Sequence, residues 1–229
     1  IIYLYSLFIL FNKIDIMVIL FTNNIQIFTM ELSSDFYENN CQKFSDTRFC
    51  LWDVVRDFGK EFQENSYVLD AGCGNGKNIR YFQDKCNIVG IDKCNGLINI
   101  CKERNYNVKQ CVIENIDYPD NVFDFVMCIA VIHHLDTEEF RIKALQEMIR
   151  VLKPGGKLLV TAWAYEADEY SKRKKFIKGN NFVKFNKEEI LRYYYIYDRE
   201  GFETLCNHVI SQELKITWDR GNWNAIFIK

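Results

Sequence analysis

Proline is almost missing from this chain of 229 residues, which has only Pro119 and Pro154. No proline-rich linker divides it, and the length predicts one domain able to bury a core of its own. Histidine is nearly as scarce, with His133, His134 and His208 alone, and no two of the nine cysteines stand at C-x-x-C spacing. An odd cysteine count without paired spacing argues against a disulfide framework and predicts no zinc site. It points to reduced cysteines in an intracellular protein. A long uncharged apolar run is also absent. Residues 1–29 are rich in Ile, Phe, Asn and Leu and hold no Gly, Ala, Pro or Arg, but Lys13 and Asp15 interrupt them. They lack the roughly 18 uninterrupted apolar residues of a membrane span and the flanks of a signal peptide. Residues 1–29 are expected to be an upstream extension or a disordered apolar segment, with Met30 the start of a single domain over 30–229.

The stretch Tyr67 to Asn78 reads YVLDAGCGNGKN and sets Asp70, Gly72, Gly74 and Gly76 at D-x-G-x-G-x-G spacing. An apolar run (Val68, Leu69) that stops on glycines predicts a parallel strand with a tight exit. Bare backbone can then meet a ligand, and a helix from Lys77 to Gln83 follows. A dinucleotide fingerprint, G-x-G-x-x-G, would put the third glycine one residue later. The acid-led alternating form resembles the first motif of methyltransferases that use S-adenosylmethionine; a Rossmann-like domain without that cofactor is the alternative.

The order of the following elements supports the first reading. Asn87 to Asp92 reads as a second strand ending on an acid about 20 residues past the first glycine, where a carboxylate can accept both ribose hydroxyls. Asp92 is the expected ribose ligand. Glu114 and Asn115 follow the third predicted strand, where such enzymes read adenine. Phe123 to Val131 is a continuous apolar run suited to a central parallel strand, and it leads into His133-His134. A helix is expected next, with Asp136 and Glu139 as a capping box and Leu145, Met148, Ile149 and Leu152 on one face. Pro154-Gly155-Gly156 turns into a strand over Lys157 to Trp163. Two last strands, about Phe202 to Thr217 and Asn224 to Ile228, are expected to pair antiparallel. The Tyr193 to Tyr197 cluster also fits one face of a helix.

Formal net charge is −2, but it is unevenly spread. Ser171 to Arg192 holds eight basic residues (Lys172, Arg173, Lys174, Lys175, Lys178, Lys184, Lys187, Arg192) against Glu188 and Glu189. A basic loop insertion, 167–185, is expected near the mouth of the site. It suits a phosphate backbone as well as it suits a solvated loop. With two prolines, neither an Asn-Pro-Pro-aromatic run nor a Pro-Cys nucleophile loop is present. That argues against the usual exocyclic-amine and cytosine-carbon acceptors.

Beyond the glycine loop, Tyr37 to Trp52 (YENNCQKFSDTRFCLW), Ile129 to Leu135 (IAVIHHL), Ala162 to Glu166 (AWAYE), Arg192 to Cys206 (RYYYIYDREGFETLC) and Gly221 to Trp223 (GNW) occur in order. In these the chain resembles the tRNA wobble-uridine carboxymethyl methyltransferases, a domain that in animals is fused to AlkB-type oxygenases. The resemblance covers Tyr37 to the C-terminus. It departs from the family's pattern at Tyr195, where histidine is usual, at Asp53, where proline is, and at Glu114, where aspartate is common. It implies an α/β, Rossmann-like class I methyltransferase fold: a seven-stranded, mostly parallel sheet with an antiparallel C-terminal strand pair. It also implies transfer of a methyl group from S-adenosylmethionine to the carboxylate of 5-carboxymethyluridine in tRNA, in the cytoplasm or nucleus. A small zinc-binding activator subunit would pair along the edge around Val108 to Val112.

On that resemblance Asp70, Gly72, Gly74, Gly76, Asp92, Glu114, Asn115 and Ile129 hold the cofactor. Arg48, His133, His134, Tyr193 and Asn222 serve the acceptor, and Tyr193 and Tyr194 offer aromatic faces or hydroxyls to a flipped-out base. A carboxylate is already ionised at neutral pH, so its methylation needs orientation and desolvation, not a base. A guanidinium such as that of Arg48 can grip a carboxylate or a phosphate with two parallel hydrogen bonds. The alternatives are a methyltransferase of a small carboxylate or a protein side chain, and a catalytically silent RNA-binding subunit of the same fold.

Overall fold

The computed structural model describes residues 37–166, 176–184 and 191–229. Residues 1–36, with the proposed start at Met30, lie outside them, as do 167–175 and 185–190, which hold much of the basic segment. Described elements run in the order α1 (37–45), α2 (Asp53–Phe58), β1 (Tyr67–Ala71), α3 (Lys77–Phe82), β2 (Asn87–Asp92), α4 (Asn95–Glu103), β3 (Val108–Gln110) and β4 (Phe123–Ile129). They continue with a 3-10 turn (Ile132–His134), α5 (Glu138–Val151), β5 (Leu152–Trp163), β6 (Gly179–Lys184), β7 (Leu191–Ile196), α6 (Arg199–Cys206), β8 (Glu213–Asp219) and β9 (Asn222–Ile228).

Seven strands form one sheet in the order β3-β2-β1-β4-β5-β9-β8, with β6 and β7 a separate antiparallel pair. The β3-to-β5 portion is parallel, whereas β9 runs antiparallel to both β5 and β8. Strand order reverses between β1 and β4. In an open α/β sheet that reversal opens a crevice at the carboxyl ends of the strands, where ligands bind.

Both faces of the sheet are covered, which explains the unbroken apolar runs. Leu69, Val126 and Cys128 pack with Leu145 and Met148 of α5 on one side. Their neighbours Val68 and Met127 pack with Val55 and Phe58 of α2 on the other. Between Phe123 and Phe125 the β4–β5 register slips, and the slip takes up Lys153 to Gly156. Gly155 there has φ +77°.

Three local expectations differ. Thr137, not Asp136, caps α5: its hydroxyl accepts from the Phe140 amide at 3.2 Å. The segment from Phe202 begins as helix, because Asp198 caps it through the Gly201 amide and Phe202, Leu205 and Cys206 recur at helical spacing. The C-terminal pair is there, but its first strand starts at Glu213. The tyrosine run is a strand, β7, so Arg192 and Tyr194 share one face and Tyr193 and Tyr195 the other.

Candidate active site

A cavity of about 970 Å³ opens at the switch point, at the upper end of the roughly 300–1,000 Å³ usual for small-molecule sites. Its floor is the glycine loop. Gly72, Gly74 and Gly76 all have positive φ (80°, 55° and 75°). A Cβ on Gly72 would lie 2.4 Å from a Val131 methyl, and one on Gly76 2.6 Å from the Tyr106 ring. The Gly74 amide donates to Asp92 Oδ2 at 2.8 Å and the Cys94 amide to Asp92 Oδ1 at 2.9 Å. Both carboxylate oxygens are thus fixed while their remaining lone pairs stay available at the cavity wall.

The sequence-derived cofactor residues separate by position. Gly72, Gly74, Asp92, Glu114 and Ile129 line the cavity. Gly76 serves as the left-handed cap of α3 beneath it. Asp70 is buried behind the loop, where Asn78 Nδ2 donates to both of its oxygens at 3.2 Å and burial pushes its carboxyl up to about 7. Asn115 is exposed and lies outside the lining residues. S-adenosylmethionine fits this donor set. Asp92 offers acceptors for a ribose diol, and Leu97, Val112 and Ile113 give an apolar slot for a base. Asn78 Oδ1, buried at the lining, has no hydrogen-bond partner among the described residues.

The N-terminal segment is the near wall, and its motif residues have visible tasks. Glu38 accepts from the amides of Asn95 (2.5 Å) and Gly96 (2.9 Å) and so caps α4. Tyr37 hydrogen-bonds His134 Nε2 at 3.2 Å. Asn75, inside the glycine loop and 4% exposed, donates through Nδ2 to the carbonyls of Ser45 (3.0 Å) and Arg48 (3.1 Å). Arg104 donates to the Asn75 carbonyl and to Ser45 Oγ, both at 2.8 Å. These bonds lock residues 45–48 onto the glycine loop. Arg48 lies outside a helix, half-buried on the cavity wall, with its guanidinium 5.0 Å from the Phe44 ring centroid.

Opposite stands an aromatic wall. Tyr194 stacks on Trp163 at 4.2 Å and 5°, and His133 and His134 lie 5.4 and 4.5 Å from the Tyr194 ring. Both histidines line the cavity, and their bonds fix their tautomers. His134 Nδ1 faces the Tyr193 carbonyl at 3.2 Å and therefore carries the proton, so Nε2 accepts from Tyr37. Burial, then the Arg192 charge, push His134 down to about 3, against the Tyr193 carbonyl. His133 Nδ1 accepts from the Trp163 amide at 3.1 Å, which leaves the proton of its neutral ring on Nε2. Tyr193 does not line the cavity: strand alternation points it away, and its hydroxyl meets Asn180 Oδ1 (2.7 Å) and the Asp136 carbonyl (3.1 Å). Asn222 does line it.

Three residues were not anticipated at the site, Asn75, Trp163 and Arg192, and of the two tyrosines expected to meet the base Tyr194 is the one that lines the cavity. Arg192 is 7% exposed, lines the cavity, and sits 5.2 Å from the Tyr194 ring centroid. Its signal was hidden in the basic run. Lys178 of that run pairs instead with Asp198. Among the described residues the nine cysteines are free, no cluster suits a metal ion, and no helix is long and apolar enough to cross a membrane.

The family described as Methyltransferase domain matches residues 69–160. A tRNA (carboxymethyluridine(34)-5-O)-methyltransferase of Xenopus tropicalis is 39% identical over 142 residues, which is 62% of this chain and 22% of that protein. The chain thus spans under a quarter of that relative's length. A putative methyltransferase of Encephalitozoon cuniculi (strain GB-M1) is 38% identical over 178 residues, 75% of this chain and 82% of that protein. A solved complex between the Haloferax volcanii Trm112 methyltransferase activator and the putative methyltransferase shares the fold. Its TM-score is 0.59 at 14% identity, over 86% of this chain and 97% of that one. With the glycine loop, Asp92 and the N-terminal clamp in place, the chain belongs to the family of S-adenosylmethionine-dependent methyltransferase domains that includes the tRNA (carboxymethyluridine(34)-5-O)-methyltransferases.

Proposed function

We propose that this protein methylates the carboxylate of 5-carboxymethyluridine at the anticodon wobble position of tRNA. The observation that carries the reading is one cavity lined by two guanidinium groups, Arg48 on the N-terminal wall and Arg192 on the opposite wall beside the Trp163–Tyr194 stack. Bound S-adenosylmethionine supplies a methyl group on a positively charged sulfur. Asp92, Gly72 and Gly74 hold it, with Glu114 and Ile129 at its flanks. Arg48 and Arg192 orient the two carboxylate oxygens of the acceptor, and the aromatic wall takes the extruded base. Both histidines are committed neutral groups, which suits an acceptor that has no proton to lose. His133 and Asn222 then act as donors and acceptors around the base, and His134 holds Tyr37 and β7 in register.

The same reading includes a zinc-binding activator subunit on the open β3 edge. There Asn107 O and Cys111 N bond β2, so the amides and carbonyls of Val108 and Gln110 face outward. The test is radiolabel transfer from S-adenosylmethionine to tRNA carrying 5-carboxymethyluridine, with and without activator, followed by mild alkali. Label released as methanol is expected; alkali-stable label would move the acceptor to another atom of the RNA, and no transfer would favour a small carboxylate, a protein acceptor or a silent subunit.

A further inference from the structure

Asn224 on β9 is a polar residue of the wall to which the chemistry above gives no task. It is 2% exposed, lines the cavity, and pairs in register with Thr161 of β5 and Thr217 of β8. Neither its Oδ1 nor its Nδ2 has a hydrogen-bond partner among the described residues. The Thr161 hydroxyl beside it accepts from the Ala130 amide at 2.9 Å. Two positions away on the same face, Asn222 donates through Nδ2 to the carbonyls of Arg220 (3.1 Å) and Asp219 (3.4 Å), while its buried Oδ1 is also unpaired. Buried amide groups left unpaired are disfavoured, so a ligand group is expected to meet them.

The chemistry of that ligand follows from the donor set. A carboxylate only accepts; it would satisfy Nδ2 and bring negative charge against Oδ1. The imide edge of uracil places an N–H donor beside a carbonyl acceptor, and a carboxamide can meet both with two parallel bonds. Position argues against the cofactor as that ligand. Asn224 lies on the third strand beyond β1, so about 14 Å across the sheet separates it from the strand that carries the glycine loop. On the reading of function proposed above, we infer that Asn224 is a specificity-determining residue that pairs with the N3–H and adjacent carbonyl of the acceptor uracil, with Asn222 Oδ1 beside it.

The test uses the full chain, with the activator if activity requires it, and two anticodon stem-loops. One carries 5-carboxymethyluridine, the other its N3-methyl derivative. Wild type is expected to prefer the first by roughly tenfold or more in kcat/KM, the size of one bidentate base contact. Asn224→Ala and Asn224→Thr, the second a good strand former, should lose about tenfold on the unmodified edge and erase the preference. Stem-loop affinity with S-adenosylhomocysteine present should fall in parallel, and S-adenosylmethionine affinity should stay at the wild-type value. Equal wild-type rates on both stem-loops overturn the inference while leaving ester formation, and so the proposed function, intact. Loss of cofactor affinity in a folded Asn224 variant overturns it too, by reassigning the amide to the cofactor. If wild type forms no alkali-labile ester, the functional reading and this inference fall together.

Discussion

Asn75→Ala should release the N-terminal wall without unfolding the domain. Its Nδ2 donates to two main-chain carbonyls, Ser45 O and Arg48 O, at 3.0 and 3.1 Å, in a buried setting. Two such bonds at about 0.5–1.5 kcal/mol each come to roughly 1–3 kcal/mol. That corresponds to about a 5–150-fold shift in the equilibrium between docked and undocked wall. Arg104 still holds the Asn75 carbonyl and Ser45 Oγ, so the loss should fall toward the lower half of that range. Asn75→Asp should be worse, because it turns a carboxylate toward the same carbonyls. The assay is amide hydrogen exchange read by peptide: protection over 37–52 should drop by the stated factor, while peptides of β1 and β4 keep theirs. Because Arg48 rides on this segment, kcat/KM should fall with protection. Wild-type protection over 37–52 in Asn75→Ala would refute the clamp.

Four further outcomes are expected. Asp92→Ala should weaken S-adenosylmethionine binding by at least tenfold, since it removes the fixed carboxylate at the cavity wall; calorimetry giving wild-type affinity would mean the pocket is misassigned. Gly72→Ala should lower the melting temperature through a positive φ (about 1–2 kcal/mol) and a Cβ driven into Val131 (about 1–3 kcal/mol). Only the second part should be recovered by adding Val131→Ala, and a Gly72→Ala protein with wild-type stability contradicts the packing. Because His134 is held neutral down to about 3, its contribution to stability is complete above about pH 6.5 and is lost as pH falls below that. His134→Gln should flatten the melting-temperature profile between about pH 4 and 6.5, and an unchanged slope there would show that another group titrates. Gln110→Pro, which removes an outward amide of β3, should reduce co-purification with a zinc-binding activator; undiminished association would move the partner to another face.

The glycine-loop side of the cavity was legible because its geometry follows from local spacing. The D-x-G-x-G-x-G spacing and the acid at the end of the next strand can be read directly from sequence, and in the structure all three glycines take positive φ. Asp70 shows the limit: it belongs to the motif, yet it sits behind the loop, and spacing does not reveal which way a strand residue faces. The acceptor half depends on long-range contacts. Tyr193 and Tyr194 are equivalent in sequence until pairing with β6 fixes which one faces inward. Arg192 looked like one more charge in a basic run, and burial sets it apart. Asn75 was a spacer within the glycine motif until the N-terminal segment packed on it. The boundary error at Phe202 has a simple source, since Phe202, Leu205 and Cys206 repeat at helical spacing and Asp198 is a good cap.

The most direct test of the account is a crystal structure of the protein with S-adenosylhomocysteine and an anticodon stem-loop carrying 5-carboxymethyluridine. The account predicts the ribose on Asp92, the base extruded against the Trp163–Tyr194 wall, and the carboxylate within hydrogen-bond reach of Arg48 or Arg192. A wobble base outside the cavity, or a carboxylate turned away from both guanidinium groups, would contradict it.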